Sequence, residues 1–250
     1  MHRRELVLGG LVTIVCGCGC AHSRVVPPGC VTDDTAIRGL VGNAPHSFDI
    51  NSGPLESGSG DRDFDRALAI SLSKLCDIFG VLPGFAFFDD SDVGGRGNAF
   101  ASRSQRLGRA DGSVVFGKKL LHNLLQQEQG AAAVIGVCAH EFGHIAQFKR
   151  RVRDNMVVDG KIKRLELHAD YLAGYFAGRR KLEKNDFPAA VIAHTQWVGG
   201  DFNTWKPTHH GTPEERGQAV VEGFQAAFPD PKPFDRAFND GMTFVTRFPV

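Results

Sequence analysis

The sequence lacks an excess of charge of either sign. Lys and Arg number 29 and Asp and Glu 28, a formal net charge of +1. That balance leaves no electrostatic footprint for nucleic acid or an anionic membrane surface, so neither is expected as a partner of the folded body. Beyond residue 20 there is also no apolar run long enough to span a bilayer. Thiols are scarce there: of 6 cysteines, only Cys30, Cys76 and Cys138 lie past that point, and no two are spaced C-x-x-C. An odd number at such distances argues against a thiolate metal site or a disulfide scaffold. A Cys30–Cys76 disulfide stays open for an oxidising compartment. Cys138 stands in an apolar stretch and reads as a small buried residue. Internal repeats and low-complexity tracts are missing as well.

What is present begins with an export signal. Arg3-Arg4 supply a basic start, Leu6 to Val15 an apolar run too short to cross a membrane, and a cluster of small residues and cysteines follows. Val15-Cys16-Gly17-Cys18 loosely resembles a lipoprotein processing site, and Arg3-Arg4-Glu5-Leu6-Val7 a twin-arginine signal. Residues 1–20 are therefore expected to be a signal or lipoprotein-type segment. The protein is expected to be exported to the periplasm or cell envelope, touching the membrane only through this N-terminus. Residues 21–60 show no sustained periodicity and are rich in Pro, Gly, Ser and Asn, the composition of a flexible tether.

The folded domain is expected over 61–228. Phe64, Leu68, Leu72, Leu75 and Phe79 recur at three- and four-residue spacing, which predicts a helix ended by Gly80 and Pro83-Gly84. Phe85 to Phe88 and Asn98 to Ser102 read as short strands, and Asp111-Gly112 as a hairpin signal leading into Val114-Val115-Phe116. Helices are predicted from Lys118 to Gln129, from Ala131 to Arg150 and from Leu165 to Leu182. The helix from Ala131 is apolar almost all round in its first half and should be buried there. Thr212-Pro213-Glu214-Glu215 has the form of a capping box, predicting a last helix to about Phe228. Residues 229–250 read as a proline-rich, weakly strand-like tail.

The chemistry concentrates in His140-Glu141-Phe142-Gly143-His144. Histidines four apart on a helix project from nearly the same side and can share one metal ion. Glu141, rotated by one position, can reach a water on that metal without ligating it, as a general base must. A catalytic zinc needs a third protein ligand, and Glu166-Leu167-His168-Ala169-Asp170 offers Glu166. Asp170, four residues on, shares its face and can accept a hydrogen bond from the second nitrogen of a ligand histidine. His168 points away from that face and reads as a packing or surface residue.

H-E-F-G-H followed by E-L-H-A-D-Y-L-A-G resembles the gluzincin metallopeptidases, specifically the HtpX-like and CAAX-prenyl-protease relatives, and the bacterial neutral zinc metallopeptidases. Asn98, Ala99, Phe100 and Ala101 are similar to an N-A-F-A segment of the HtpX-like group, where it forms a cleft strand that pairs with extended peptide. Its physical logic is backbone pairing at a sheet edge. His210-Gly211-Thr212-Pro213 with Arg216 is similar to a segment that follows the zinc ligands. There His210 would face the metal water and stabilise the oxyanion, and Arg216 would hold the loop or a nearby carboxylate. No spanning helices flank the catalytic helix as they do in the membrane members, so prenylated substrates are not carried over.

The resemblance implies an α+β, zincin-like fold, mainly helical, with a small sheet or hairpin flanking the active-site helix. It implies one zinc ion on His140, His144 and Glu166, with Glu141 and His210 as catalytic groups. The expected activity is that of a zinc metalloendopeptidase acting on peptide or unfolded protein. The rival expectation is a lipid-anchored binding or chaperone-like module whose structural zinc is closed by a fourth ligand, His209 or His210.

Overall fold

The computed structural model describes residues 30–31, 53–91 and 97–250. The signal segment 1–20, and the tether apart from 30–31 and 53–60, lie outside the described residues. The first helix, α1 (Arg62–Phe79), starts where Asp61 caps it: the Asp61 carboxylate accepts from the amides of Asp63 and Phe64, each at 3.0 Å. Gly80 ends it in the left-handed conformation, φ 63°. Leu68, Leu75 and Phe79 form its buried stripe, with Phe64 and Leu72 packed at the margin.

Four short strands follow the order β1-β3-β4-β2 across one sheet: β1 (Cys30–Val31), β2 (Gly84–Phe88), β3 (Ala99–Ser102) and β4 (Ser113–Gly117). The hairpin signal at Asp111-Gly112 corresponds to the antiparallel β3–β4 pair, in register from Ala99↔Phe116 to Ser102↔Ser113. The outer strands run parallel to their neighbours, β2 on β4 and β1 on β3. Glu56 bridges to Phe87 through two backbone hydrogen bonds of 2.8 Å, so ordered pairing begins upstream of the expected domain start at 61.

The remaining helices are α2 (Lys118–Leu125), α3 (Gly130–Arg150), α4 (Arg153–Met156), α5 (Lys163–Glu183), α6 (Ala189–Val198), α7 (Pro213–Gln225) and α8 (Phe234–Val245). The fold is thus α+β, mainly helical with a small sheet. None of the described helices is long and apolar enough to cross a membrane. Helix α3 is buried almost throughout from Ala133 to Phe148, beyond the first half for which its all-round apolar pattern predicts burial. Helix α5 is the hub: α3, α6, α7 and α8 all pack on it.

Two close approaches bring the chemistry together. Gly143 of α3 faces Ala169 of α5, and a Cβ there would stand 3.2 Å from the Ala169 backbone. Gly174 of α5 meets the Val220 carbonyl so closely that any Cβ would overlap it, and this seats α7 against α5.

Two expectations are corrected. The helix from Lys118 stops at Leu125, and a separate one starts at Gly130 after Gln129 takes a positive φ of 57°. Residues 234–245 are helical, not strand-like: three prolines end at Pro233, and Ala237, Phe238, Phe244 and Val245 are then buried in the core. Cys76 and Cys138 carry free thiols.

Candidate metal centre

Helices α3 and α5 carry the centre. His140, His144 and Glu166 each offer one ligand atom, and the three atoms lie within 4.8 Å of one another. His140 Nε2 stands 3.0 Å from His144 Nε2 and 3.4 Å from Glu166 Oε2, and His144 Nε2 stands 3.7 Å from the same oxygen. All three side chains are at most 1% exposed.

Hydrogen bonds to the far ring nitrogens decide what faces inward. His140 Nδ1 is 2.7 Å from Asp170 Oδ1, and a carboxylate can only accept, so Nδ1 carries the proton. Gln147 Nε2 donates to the Leu165 carbonyl at 2.8 Å, which turns the amide oxygen toward His144 Nδ1 at 2.9 Å. His144 Nδ1 is therefore the donor. As neutral rings, both histidines present Nε2 lone pairs to each other and to the Glu166 oxygen. Three buried acceptors facing one another repel unless a cation stands between them. The group can hold a metal ion.

The electrostatics agree. Burial alone pulls the His140 pKa down, but Asp170, Glu166 and Glu141 outweigh it and raise it to about 10. Burial keeps His144 low, with His140 adding to the effect. Glu166 would be raised by burial, yet His210, His144 and His140 hold it well below the usual carboxylate range. The centre favours positive charge, and a proton on His140 would compete with a metal for the same place.

Glu141 is wholly buried, and neither of its carboxylate oxygens has a hydrogen-bond partner. Burial first, then Glu166, push its pKa up to about 8. The Ala101 amide is near enough to favour the charged form in part, without meeting hydrogen-bond geometry. Strand β3 thus borders the base. Asn98, Ala99 and Ala101 are buried there, and Phe100 stacks on Phe88 at 5.3 Å. The outer edge of β3 is taken by the chain itself, since Cys30 and Val31 pair with Phe100 and Ala101.

Arg216 holds a carboxylate, and that carboxylate is Asp170. Its Nε and Nη2 donate to the two oxygens at 2.7 and 2.9 Å, while Gly199 O and Gln196 Oε1 accept further bonds at 3.0 and 2.9 Å. This fork clamps the residue that orients His140. His210 is 1% exposed, with Nε2 3.8 Å from Glu166 Oε2; it borders the centre but does not belong to the three-residue ligand group.

Two contributors lie outside the sequence motifs. Asp201, in the loop before α7, accepts from His209 Nδ1 at 2.9 Å and from the His210 amide at 3.4 Å. Burial would raise its pKa, but the His209 and His210 side chains and the Asn203 amide outweigh that and lower it. Gln147 is the other; a polar residue inside a buried apolar helix turn is the signal that could have found it. His168, expected at a packing or surface position, is fully buried and hydrogen-bonded at both ring nitrogens.

Comparison with models of protein families, with curated proteins and with solved structures finds no match to this chain.

Proposed function

We propose that the protein is a zinc-dependent metalloendopeptidase of zincin-like, gluzincin type. The observation that carries this reading is Glu141: a buried carboxylate without a hydrogen-bond partner, set beside a three-residue His-His-Glu ligand group. A purely structural metal has no use for such a base. Zinc fits the donor set, because a tetrahedral ion with bonds of about 2.0–2.1 Å spaces its ligand atoms about 3.3 Å apart. The separations of 3.0, 3.4 and 3.7 Å bracket that value. His140, His144 and Glu166 would hold the ion; when bound, it supplies Lewis acidity that acidifies a water and polarises a carbonyl.

The chain's own residues do the rest. Glu141 would take a proton and return it to a leaving amine, a cation on the neighbouring ligand group favouring its ionised, basic form. Asp170, locked by Arg216, keeps His140 in one tautomer. His210, with Nε2 3.8 Å from Glu166 Oε2, would face an oxygen of the reacting carbonyl, and Asp201 ties its loop. Strand β3 beside Glu141 would pair with an extended peptide once Cys30–Val31 leave its outer edge, a mode of binding that suits a polypeptide substrate. The rival closed zinc site is disfavoured because His209 and His210 are both outside the ligand group.

The N-terminal signal pattern supports work in the cell envelope. The test is zinc content of the purified protein together with cleavage of an unfolded protein such as casein. One zinc per chain with cleavage supports the reading; one tightly held zinc without cleavage returns it to the rival.

A further inference from the structure

A line of buried polar groups runs from the metal centre to the C-terminal helix. His168 Nε2 is 3.0 Å from the Phe238 carbonyl, which can only accept, so Nε2 carries the proton. His168 Nδ1 is then an acceptor and takes the second amide hydrogen of Gln147 at 3.1 Å. The first goes to the Leu165 carbonyl at 2.8 Å, and Gln147 Oε1 accepts from His144 Nδ1 at 2.9 Å. Every side chain in this line is fully buried. The Phe238 ring also meets His168 edge-on, with centroids 4.6 Å apart.

We infer that Gln147 and His168 are positioning residues that fix the tautomer of His144 from a backbone carbonyl of α8. The line is directional. Were His144 to carry its proton on Nε2, its Nδ1 would face the Gln147 oxygen as acceptor against acceptor. Rotating the Gln147 amide to cure that would place its oxygen against the Leu165 carbonyl and the His168 Nδ1 lone pair. Turning His168 in response would set a lone pair against the Phe238 carbonyl. Two immovable backbone carbonyls, 165 and 238, thus leave one consistent arrangement, and in it His144 Nε2 is free to bind metal. Helix α8, whose sequence reads as a tail, is part of what holds the centre.

The inference rests on the proposed metal site, and the test separates the two. Zinc affinity is measured by competition with a chromophoric chelator for the full chain, Gln147→Met, Gln147→Glu and His168→Phe. Ring-nitrogen NMR reads the His144 tautomer in the metal-free protein. Gln147→Met keeps the volume but loses the acceptor, so zinc affinity falls about 10–100-fold and the tautomers mix. Gln147→Glu restores an acceptor for His144 Nδ1, and its second oxygen, carrying a proton, donates to the Leu165 carbonyl in place of the lost amide hydrogen, so affinity stays closer to wild type than in Gln147→Met. A packing role would give the reverse order, because Met fits a buried site better than Glu. His168→Phe gives a smaller loss, since the Leu165 carbonyl still orients Gln147. Wild-type affinity in Gln147→Met, or a His144 proton on Nε2 in the wild type, overturns the inference. Failure of the wild type to bind zinc with the Nδ1 tautomer intact would instead count against the metal reading alone.

Discussion

His140 Nε2 and His144 Nε2 face each other at 3.0 Å in a buried site, with the Glu166 carboxylate closing the third side. The far nitrogen of each ring is committed, one to Asp170 and one to Gln147. Those commitments leave an arrangement that is stable only around positive charge, and the first consequence concerns which residues retain it.

Glu166→Gln removes the only negative ligand, so the purified variant is expected to lose stoichiometric zinc. Glu141→Gln, which alters no ligand, is expected to keep it. Elemental analysis of both proteins reads the difference directly; equal zinc in the two would contradict the ligand assignment.

Zinc binding is expected to strengthen with pH. The His140 pKa is raised to about 10, so below that value a proton occupies the ring and an entering metal must expel it. One proton released per metal corresponds to about a tenfold gain in affinity per pH unit between neutrality and pH 9. Zinc titrations at several pH values, with proton release measured in buffers of different ionisation enthalpy, check this. A flat profile would contradict it.

Arg216→Leu is expected to destabilise the fold by about 3–5 kcal/mol, because it strands the buried Asp170 carboxylate. The pair also sets an acid dependence. The Asp170 pKa is lowered in the fold, where Arg216 and His140 outweigh burial, against an unfolded value of about 3.9. Its contribution is therefore complete above about pH 4 and disappears as pH falls further. Denaturant unfolding across acid pH should show a shallower loss in Arg216→Leu than in wild type.

Much of the centre is legible in the sequence because helical spacing fixes it. His140, His144, Glu166 and Asp170 sit at four-residue intervals on two helices, and such intervals define a shared face without knowledge of the fold. What spacing does not reveal is which elements meet. Asp201 lies in an irregular loop, and its bonds to His209 and His210 depend on how that loop closes over α5. Gln147 becomes meaningful only once Leu165 and His168 are beside it. Helix α6 has apolar residues on every side and no side-chain cap, so neither periodicity nor a boundary marks it. Helix α8 was concealed by the prolines before it, although Phe234, Ala237, Phe238, Gly241 and Val245 do recur at helical spacing.

A peptide approaching the β3 edge has to displace Cys30–Val31, which pair there with Phe100 and Ala101. Val31→Pro deletes an amide from that short strand and weakens the pairing. Casein cleavage by the full chain is expected to rise in this variant, with faster amide exchange across 99–102. Unchanged exchange and unchanged cleavage would show that the pairing does not limit access.

The most direct test of the central claim compares casein cleavage by zinc-loaded wild type and zinc-loaded Glu141→Gln. The carboxylate acts as the proton-transferring group, so the variant is expected to keep its fold and metal while its turnover falls about 100- to 10,000-fold. Cleavage by Glu141→Gln at the wild-type rate, or no cleavage by the zinc-loaded wild type, would contradict the account.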